Sequence, residues 1–242
     1  REPGVPAAAL LALGRIASPD ALSVLRRALG HADPAMRVAA AHGSLAAADA
    51  LRSPQPVVAA TLCEAIRSAD VPVSLQAAAT YGLVCARGFS ALPMLGVLLT
   101  RAEPEIRNAA LRAARDLEGP EVSVALVQVL SQLTPEMQVQ VAGVLQDRGD
   151  AGARAGLERL AAADTPAVRL AAVRALAALG DGTSVAPLLG ALARGGVEAQ
   201  AAGVTLRALP GDGVDEALLA ALRSAAGTQR AVLADLVSDR GI

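Results

Sequence analysis

The stretch TPAVRLAAVRALAALGD, residues 165–181, decides the fold, because close copies of its beginning recur along the chain. The copies are DPAMRVAAA at 33–41, EPEIRNAAL at 103–111 and TPEMQVQVA at 134–142. Proline in the second place suits the first turn of a helix, since its missing N–H would have no intrahelical partner there. The recurrence therefore predicts a chain built from one repeated helical unit.

The spacing of this proline gives the length of the unit. The markers are Pro3, Pro34, Pro72, Pro104, Pro135 and Pro166, followed by Val197 and Gly227 in the equivalent places of the last two units. The steps between them are 31, 38, 32, 31, 31, 31 and 30 residues. The one long step contains LRSPQP at 51–56, where two prolines predict a longer loop.

A second type of helix is expected between the proline-led helices. Its segments are 90–102, 120–133, 151–163, 183–195 and 214–227. Leu92, Leu95 and Leu99 fall on one face at the helical period, and Val168, Ala172 and Leu176 do so in a proline-led helix. Each unit is thus an antiparallel helix pair of about thirty residues that buries its apolar face only against its neighbours.

Composition supports an all-α chain and limits its functions. The 242 residues include 22 arginines, no lysine, 23 acidic side chains and two histidines. A net charge of −1 gives no electrostatic attraction for nucleic acid or an anionic membrane. Tyr81 and Phe89 are the only aromatic residues, which disfavours sites that stack sugars or bases. No segment predicts a signal peptide or a membrane span.

The phrase D/T-P-x-V-R-x-A-A-x-x-A-L-x-x-L-G-D resembles the HEAT repeat, in the short bacterial form found in the phycobilin-lyase-like group. The resemblance is strongest over 103–195 and weaker over 53–88, and the second half also resembles HEAT arrays of larger multidomain bacterial proteins. It implies an all-α, α-solenoid fold of stacked antiparallel helix pairs, a HEAT-like superhelix of about seven to eight repeats. We expect one domain over 1–242, which we interpret as a fragment of a longer chain because it begins within a repeat.

The resemblance also implies roles for particular arginines. In this family the arginine that follows the proline commonly pairs with an acidic turn residue of a neighbouring repeat. By position these residues are Arg37, Arg107 and Arg169, with Arg230 as an extension. Gln138 and Gln200 stand where further arginines are expected, so the series is interrupted.

The proline-led helices are expected to line the concave face, and their side chains opposite the core form the candidate binding surface. Its residues are His42, Thr80, Asn108, Arg112, Arg115, Arg174 and Thr205. The three arginines form a modest basic patch, and a guanidinium suits carboxylate or phosphate because it bonds bidentately. The alternative interpretation is an ordinary solvent-exposed helix face that binds no ligand, which would show the same pattern of residues.

No constellation predicts catalysis, a metal site or a cofactor. Cys63 and Cys85 lie on the two helices of one repeat, and either packed thiols or a disulfide fits their positions. The glycine-rich stretches 180–184 and 210–213 each lie between two helices and are interpreted as turns, with Asp181 and Asp212 capping the helices that follow.

The sequence therefore favours a non-enzymatic scaffold that binds a protein partner or another domain of the same chain, with no nucleic acid, membrane insertion or metal. Three alternatives stay open: a bilin lyase or chaperone-like HEAT protein, a DNA glycosylase of the HEAT-like type, and a structural spacer beside enzymatic domains. The net charge of −1 and the absence of tryptophan argue against the glycosylase. The compartment is not predicted, and both cytoplasm and export fit.

Overall fold

The computed structural model describes residues 4–210 and 213–242, with side chains described from residue 7 onwards. Pro3 and Asp212, which the sequence assigns to a helix start and a cap, lie outside the described residues. The chain divides into two compact units, residues 1–122 and 123–242, which are described separately below.

Unit 1 contains two sets of helices that alternate along the chain. The proline-led set stacks side by side, α1 against α3, α3 against α5 and α5 against α7, and the second set packs on these helices. The helices are α1 (Gly4–Ile16), α2 (Pro19–Ala28), α3 (Pro34–Leu51), α4 (Pro56–Ser68), α5 (Val73–Arg87), α6 (Leu92–Leu99) and α7 (Pro104–Asp116).

Unit 2 repeats this arrangement. Helix α11 lies between α9 and α13, and α15 packs on α13, while α10, α12 and α14 pack on their proline-led partners. The helices are α8 (Glu121–Val129), whose first two residues belong to unit 1, α9 (Pro135–Arg148), α10 (Arg154–Leu160), α11 (Pro166–Leu179), α12 (Val185–Arg194), α13 (Gly196–Ala208), α14 (Val214–Ser224) and α15 (Gly227–Arg240). The prediction of an all-α fold made of repeated helix pairs is confirmed.

Position in a proline-led helix predicts burial. Positions are counted here from the first helical residue as position 0. Positions 6 and 10 are buried in every proline-led helix, and position 2 is buried in α5, α7, α9 and α11. In α11 these are Val168, Ala172 and Leu176, none of which is exposed to solvent. The buried equivalents in α5 are Leu75, Ala79 and Leu83, and those in α9 are Met137, Val141 and Leu145. The spacing of four residues keeps these side chains on one face of each helix.

Several helix ends follow the sequence signals for caps and C-terminal glycines. Asp33 and Thr134 accept hydrogen bonds from the first turns of α3 and α9, and Gly149 and Gly241 end α9 and α15 with φ of +71° and +76°. Gly180, which follows the last residue of α11, is instead extended, with φ −76° and ψ 161°. Its role is steric, because an added Cβ would lie 2.6 Å from Cδ1 of Leu209.

The residues that lengthen the 38-residue step of the repeat belong to a helix and not to a loop. Helix α3 has 18 residues and continues to Leu51, and only residues 52–55 connect it to α4. The prediction of a longer loop at 51–56 is therefore corrected, since the additional residues extend a helix. The alanine-rich composition of this segment explains the result, because alanine has the highest helix propensity.

Helices α1 and α3 approach each other through glycines. A Cβ added to Gly14 would overlap the backbone of Gly43, and one added to Gly43 would overlap the carbonyl of Leu10 and lie 2.8 Å from Cδ2 of Leu25. Both glycines are buried. The absence of side chains at this crossing lets the two backbones come into direct contact.

In the part of the chain that the structure describes, one run, 73–99, is long and apolar enough by length and composition to cross a membrane, and about a third of its most apolar window is buried. In the structure this run consists of α5 and α6, separated by a 3-10 turn that begins at Gly88 with φ +55°. Leu83 of α5 and Leu95 of α6 are both in the core. The absence of membrane insertion stays a prediction.

Candidate functional site

The side chains at position 8 of the proline-led helices point away from the core. We call them the outward row. In unit 1 they are Ala12, His42, Tyr81 and Arg112, and in unit 2 they are Gly143, Arg174, Val204 and Asp235. All are exposed or half-buried. Because positions 6 and 10 belong to the core, position 8 lies close to the opposite side of the helix, where a side chain does not have to fit the core.

Two predicted binding residues are not in this row. Thr80 is completely buried and donates its hydroxyl proton to the carbonyl of Gln76 at 2.8 Å. Thr205 is 3% exposed and donates to the carbonyl of Val173 at 3.3 Å. Both predictions are corrected, because these hydroxyls are already used inside the protein.

The cause of both corrections is a shift of one residue in register, which rotates a side chain by about 100° around its helix. Pro72 precedes α5 as its N-cap, so the first helical residue is Val73 and position 8 is Tyr81. Helix α13 begins at Gly196 and not at Val197, so its position 8 is Val204. The sequence contains a signal for the first shift, since Leu75 aligns with the buried Ile106 of α7 only if α5 begins at Val73.

The other predicted binding residues lie on the surface. His42, Asn108, Arg112 and Arg174 are exposed, at position 8 or, for Asn108, position 4 of their helices. Arg115 is exposed in the last turn of α7. Whether any of them binds a ligand stays a prediction.

Unit 1 holds an aromatic and charged cluster around Tyr81. The guanidinium carbon of Arg112 lies 4.9 Å from the centre of the tyrosine ring, and that of Arg52 lies 5.8 Å from it. The phenol donates a hydrogen bond of 2.9 Å to Oδ2 of Asp116, and the same oxygen lies 3.9 Å from Nε of Arg112. Burial and this hydrogen bond raise the pKa of Tyr81 to about 12, so the phenol stays protonated. Sequence reasoning missed both Tyr81 and Arg52.

A cavity of about 260 Å³ lies beside this cluster. Its walls include Tyr81, the ion pair of Arg52 with Asp49, and the thiol of Cys63. Burial raises the pKa of the Cys63 thiol to about 11, and burial also raises the pKa of Cys85. Both cysteines are free in the structure, and thiols with raised pKa values are poor nucleophiles.

Unit 2 holds an open groove of about 520 Å³ across the outward faces of α9, α11 and α13, which we call the unit 2 groove. It is lined by Gln146, Arg174, Ala177, Val197, Gln200, Ala201, Val204 and Thr205. Val197 and Val204 are 59% and 66% exposed, which is high for aliphatic side chains. Gln200, which the sequence aligns with the family arginines, lies at position 4 because of the register shift and belongs to this groove instead.

The arginines at position 3 hold the turn that precedes their own helix. In each case Nη1 donates to two successive main-chain carbonyls at 2.7–3.0 Å, and we call this arrangement the turn staple. The pairs are Arg37 with His31 and Ala32, Arg107 with Arg101 and Ala102, and Arg169 with Ala163 and Asp164. Gln76 and Gln138, at position 3 of α5 and α9, donate to carbonyls of their preceding turns in a similar way.

Two of these arginines also pair with an acid of the following repeat. Arg37 donates to Asp70 at 2.6 Å, and Arg169 donates through Nη2 to Glu198 at 2.7 Å. The hydrogen bonds from Arg169 hold the pKa of the Glu198 carboxyl below its usual value. Arg107 makes no ion pair with a carboxylate among the described residues, and neither does Arg230.

Within residues 4–210 and 213–242, no group of three or more His, Cys, Asp or Glu side chains is placed to hold a metal ion. The two surfaces present a cation and an aromatic ring in unit 1, and a cation among aliphatic and amide groups in unit 2.

Comparison with known protein families agrees with this architecture. The family model described as HEAT repeats matches residues 1–83 and 123–209, more than half of the chain. No curated protein matches the chain. Among solved structures, the chain is similar to an engineered protein, Northeast Structural Genomics Consortium target OR329, with 19% identity over 96% of each chain and a TM-score of 0.33. From its repeats and the family match, this chain belongs to the HEAT-repeat proteins.

Proposed function

We propose that this chain is a non-catalytic scaffold that binds a protein partner, or another domain of the same polypeptide, through the outward row of its proline-led helices. HEAT repeats generally serve as protein-interaction scaffolds, and an all-helical fold of this kind is typically non-catalytic. The observation that carries the proposal is the contrast within one helix type. Positions 6 and 10 are small or aliphatic almost throughout, whereas position 8 varies from histidine and tyrosine to arginine, valine and aspartate.

This contrast is what a recognition surface requires. A constant core keeps the spacing of the helices uniform, and the row is then free to carry whatever chemistry a partner needs. Tyrosine and arginine are enriched among the residues that dominate interface energies. In unit 1 the Tyr81 side chain is already held by Arg112 and Asp116, so less conformational entropy is lost when a partner binds.

The test is an affinity capture from the source cells with the chain attached through its α-amino group. Because the sequence contains no lysine, amine coupling uses only this terminus and leaves every helix face free. The probe variant is Arg112→Glu/Arg174→Glu, and the control is Arg26→Glu/Arg223→Glu. The control makes the same charge change at exposed arginines of α2 and α14, outside the outward row.

A partner captured by the wild type and by the control, and lost from the probe variant, would support the proposal. A partner retained by the probe variant and lost from the control would move the site to the second helix set. Failure to capture any partner from soluble and envelope fractions would contradict the proposal and favour a spacer. Thermal unfolding followed by circular dichroism verifies that each variant is folded.

A further inference from the structure

The unit 2 groove contains a cation, Arg174, that has no partner within residues 4–210 and 213–242. Arg174 is exposed, and among the described residues no carboxylate or carbonyl accepts a hydrogen bond from it. Two acids of the neighbouring helices are engaged elsewhere: Glu198 with Arg169 at 2.7 Å, and Asp239 with Arg207 at 2.6 Å. No acid is among the eight residues that line the groove, so the groove carries the positive charge of Arg174.

The rest of the lining is neutral. Val197 and Val204 expose most of their surface beside Arg174, and the groove floor is formed by small residues such as Ala177 and Ala201. Covering an aliphatic surface of this kind with an apolar group of a partner lowers the free energy of the complex. The groove thus offers one site for an anion next to one site for an apolar side chain.

Two amides complete the surface. Gln146 on α9 and Gln200 on α13 are exposed and have no hydrogen-bond partner among the described residues. A primary amide both donates and accepts, which matches the alternating N–H and C=O groups of an extended peptide. Because α11 lies between α9 and α13, the two amides flank Arg174.

The charge of the lining selects among anionic ligands. Arg174 is the one basic residue among the eight that line the groove. A nucleic-acid strand presents a phosphate at every nucleotide and requires several cations along its path. A single carboxylate needs only one guanidinium, which it accepts bidentately.

Building on the proposed function, we infer that the unit 2 groove binds an extended acidic peptide segment of a partner protein. A glutamate or aspartate carboxylate pairs with Arg174, an adjacent aliphatic side chain covers Val197 and Val204, and the peptide backbone bonds to Gln146 and Gln200. The acidic side chain and the aliphatic one must therefore be close in the bound sequence.

The experiment is a selection of random linear peptides displayed on phage against the intact chain. Selected sequences are synthesised with a fluorescent label, and their affinity is measured by anisotropy for the wild type, Arg174→Glu, Arg174→Lys and Arg223→Glu. We expect the selected peptides to contain Asp or Glu near Val, Ile or Leu, and their affinity to fall by about tenfold or more with Arg174→Glu. Arg174→Lys should retain only part of the wild-type affinity, because the lysine ammonium group lacks the planar fork of a guanidinium.

The Arg223→Glu variant makes the same charge change at an exposed residue of α14, outside the lining, and should leave the affinity within about twofold. Neutral or basic selected peptides, equal binding to Arg174→Glu, or no selected peptide at all would each overturn the inference. The proposed function would survive any of these results if affinity capture still finds a partner that is lost through Arg112→Glu alone. The proposed function would be contradicted, independently of the peptide results, if affinity capture finds no partner.

Discussion

At the scale of single residues, the crossing of α1 and α3 depends on two glycines whose missing side chains let the backbones touch. We predict that Gly43→Ala lowers the free energy of unfolding by about 2 kcal/mol, in the range typical of overpacked sites. The added methyl group meets the carbonyl of Leu10, which cannot rotate away as a side chain could. Urea unfolding followed by circular dichroism measures the change.

The control is the same substitution where space is open. Gly190 is a helical residue of α12, and a methyl group added there would have no atom of a neighbouring element within 4 Å. Gly190→Ala should therefore stabilise the chain by up to about 1 kcal/mol through helix propensity. If both substitutions change stability in the same direction, close backbone contact is not what Gly43 provides.

The ion pair between Arg169 and Glu198 makes a prediction for pH. The pKa of Glu198 is lowered from its ordinary value of 4.5 in the folded state, first by the hydrogen bonds from Arg169. The folded state thus favours the ionised carboxylate, and this contribution to stability is complete above pH 4.5 and is lost as the pH falls through the lowered pKa. The difference in unfolding free energy between the wild type and Glu198→Gln should be largest near neutral pH and should shrink below pH 4.5. A difference that is constant from about pH 7 to about pH 3 would show that the carboxylate charge contributes nothing.

At the scale of the element, each proline-led helix has a core face that single substitutions can test. Leu176 occupies position 10 of α11 and is completely buried. We predict that Leu176→Asp costs about 3–5 kcal/mol, because it places an unpaired charge in the apolar interior. The matched control is Ala178→Asp, at an exposed position of the same helix, which should change stability by less than about 1 kcal/mol. Equal effects would mean that the buried face of α11 is wrongly assigned.

The sequence predicts the helices well and their rotation less well. Proline at the first turn, with apolar residues at the helical period, indicates nearly every proline-led helix. Pro72 is misleading, because a proline is tolerated both as the N-cap and as the first helical residue. Which of the two it is decides whether Thr80 or Tyr81 occupies position 8 of α5. In α13 the core position 2 holds Glu198, so the apolar pattern that would have fixed the register is incomplete there.

The candidate binding surface is predictable only in part for the same reason. Arg112 and Arg174 are recognisable as surface residues because their helices begin with an unambiguous proline. Gln200 and Val204 are not, because their place in the groove depends on the start of α13 at Gly196, which no proline marks. The contact of Tyr81 with Arg52 joins residues of different helices, and such a contact depends on packing and not on local sequence.

At the scale of the whole molecule, we predict that residues 1–242 unfold as one cooperative domain. In stacked repeats stability comes largely from interfaces between neighbours, so the loss of one repeat destabilises the next. Tyr81 is the only tyrosine and there is no tryptophan, so tyrosine fluorescence reports on unit 1 alone, whereas far-ultraviolet circular dichroism reports on all helices. The two urea transitions should coincide.

Leu176→Asp sharpens this measurement, because the substitution is in unit 2 and the fluorophore is in unit 1. For one cooperative domain, the variant should shift both transitions to lower urea concentration. If the fluorescence transition stays in place while the circular dichroism splits into two steps, residues 1–122 and 123–242 unfold independently and the chain has two domains.

The turn staple has a consequence for how such a protein can vary over evolution. The guanidinium groups of Arg37, Arg107 and Arg169 bind main-chain carbonyls, which every amino acid supplies. The dipeptides that they hold are His-Ala, Arg-Ala and Ala-Asp, and neither position carries the same side chain in all three. Mutations in these turns can therefore accumulate without loosening them, and turn sequences can be exchanged between repeats as long as the arginine that holds each one is inherited with its helix.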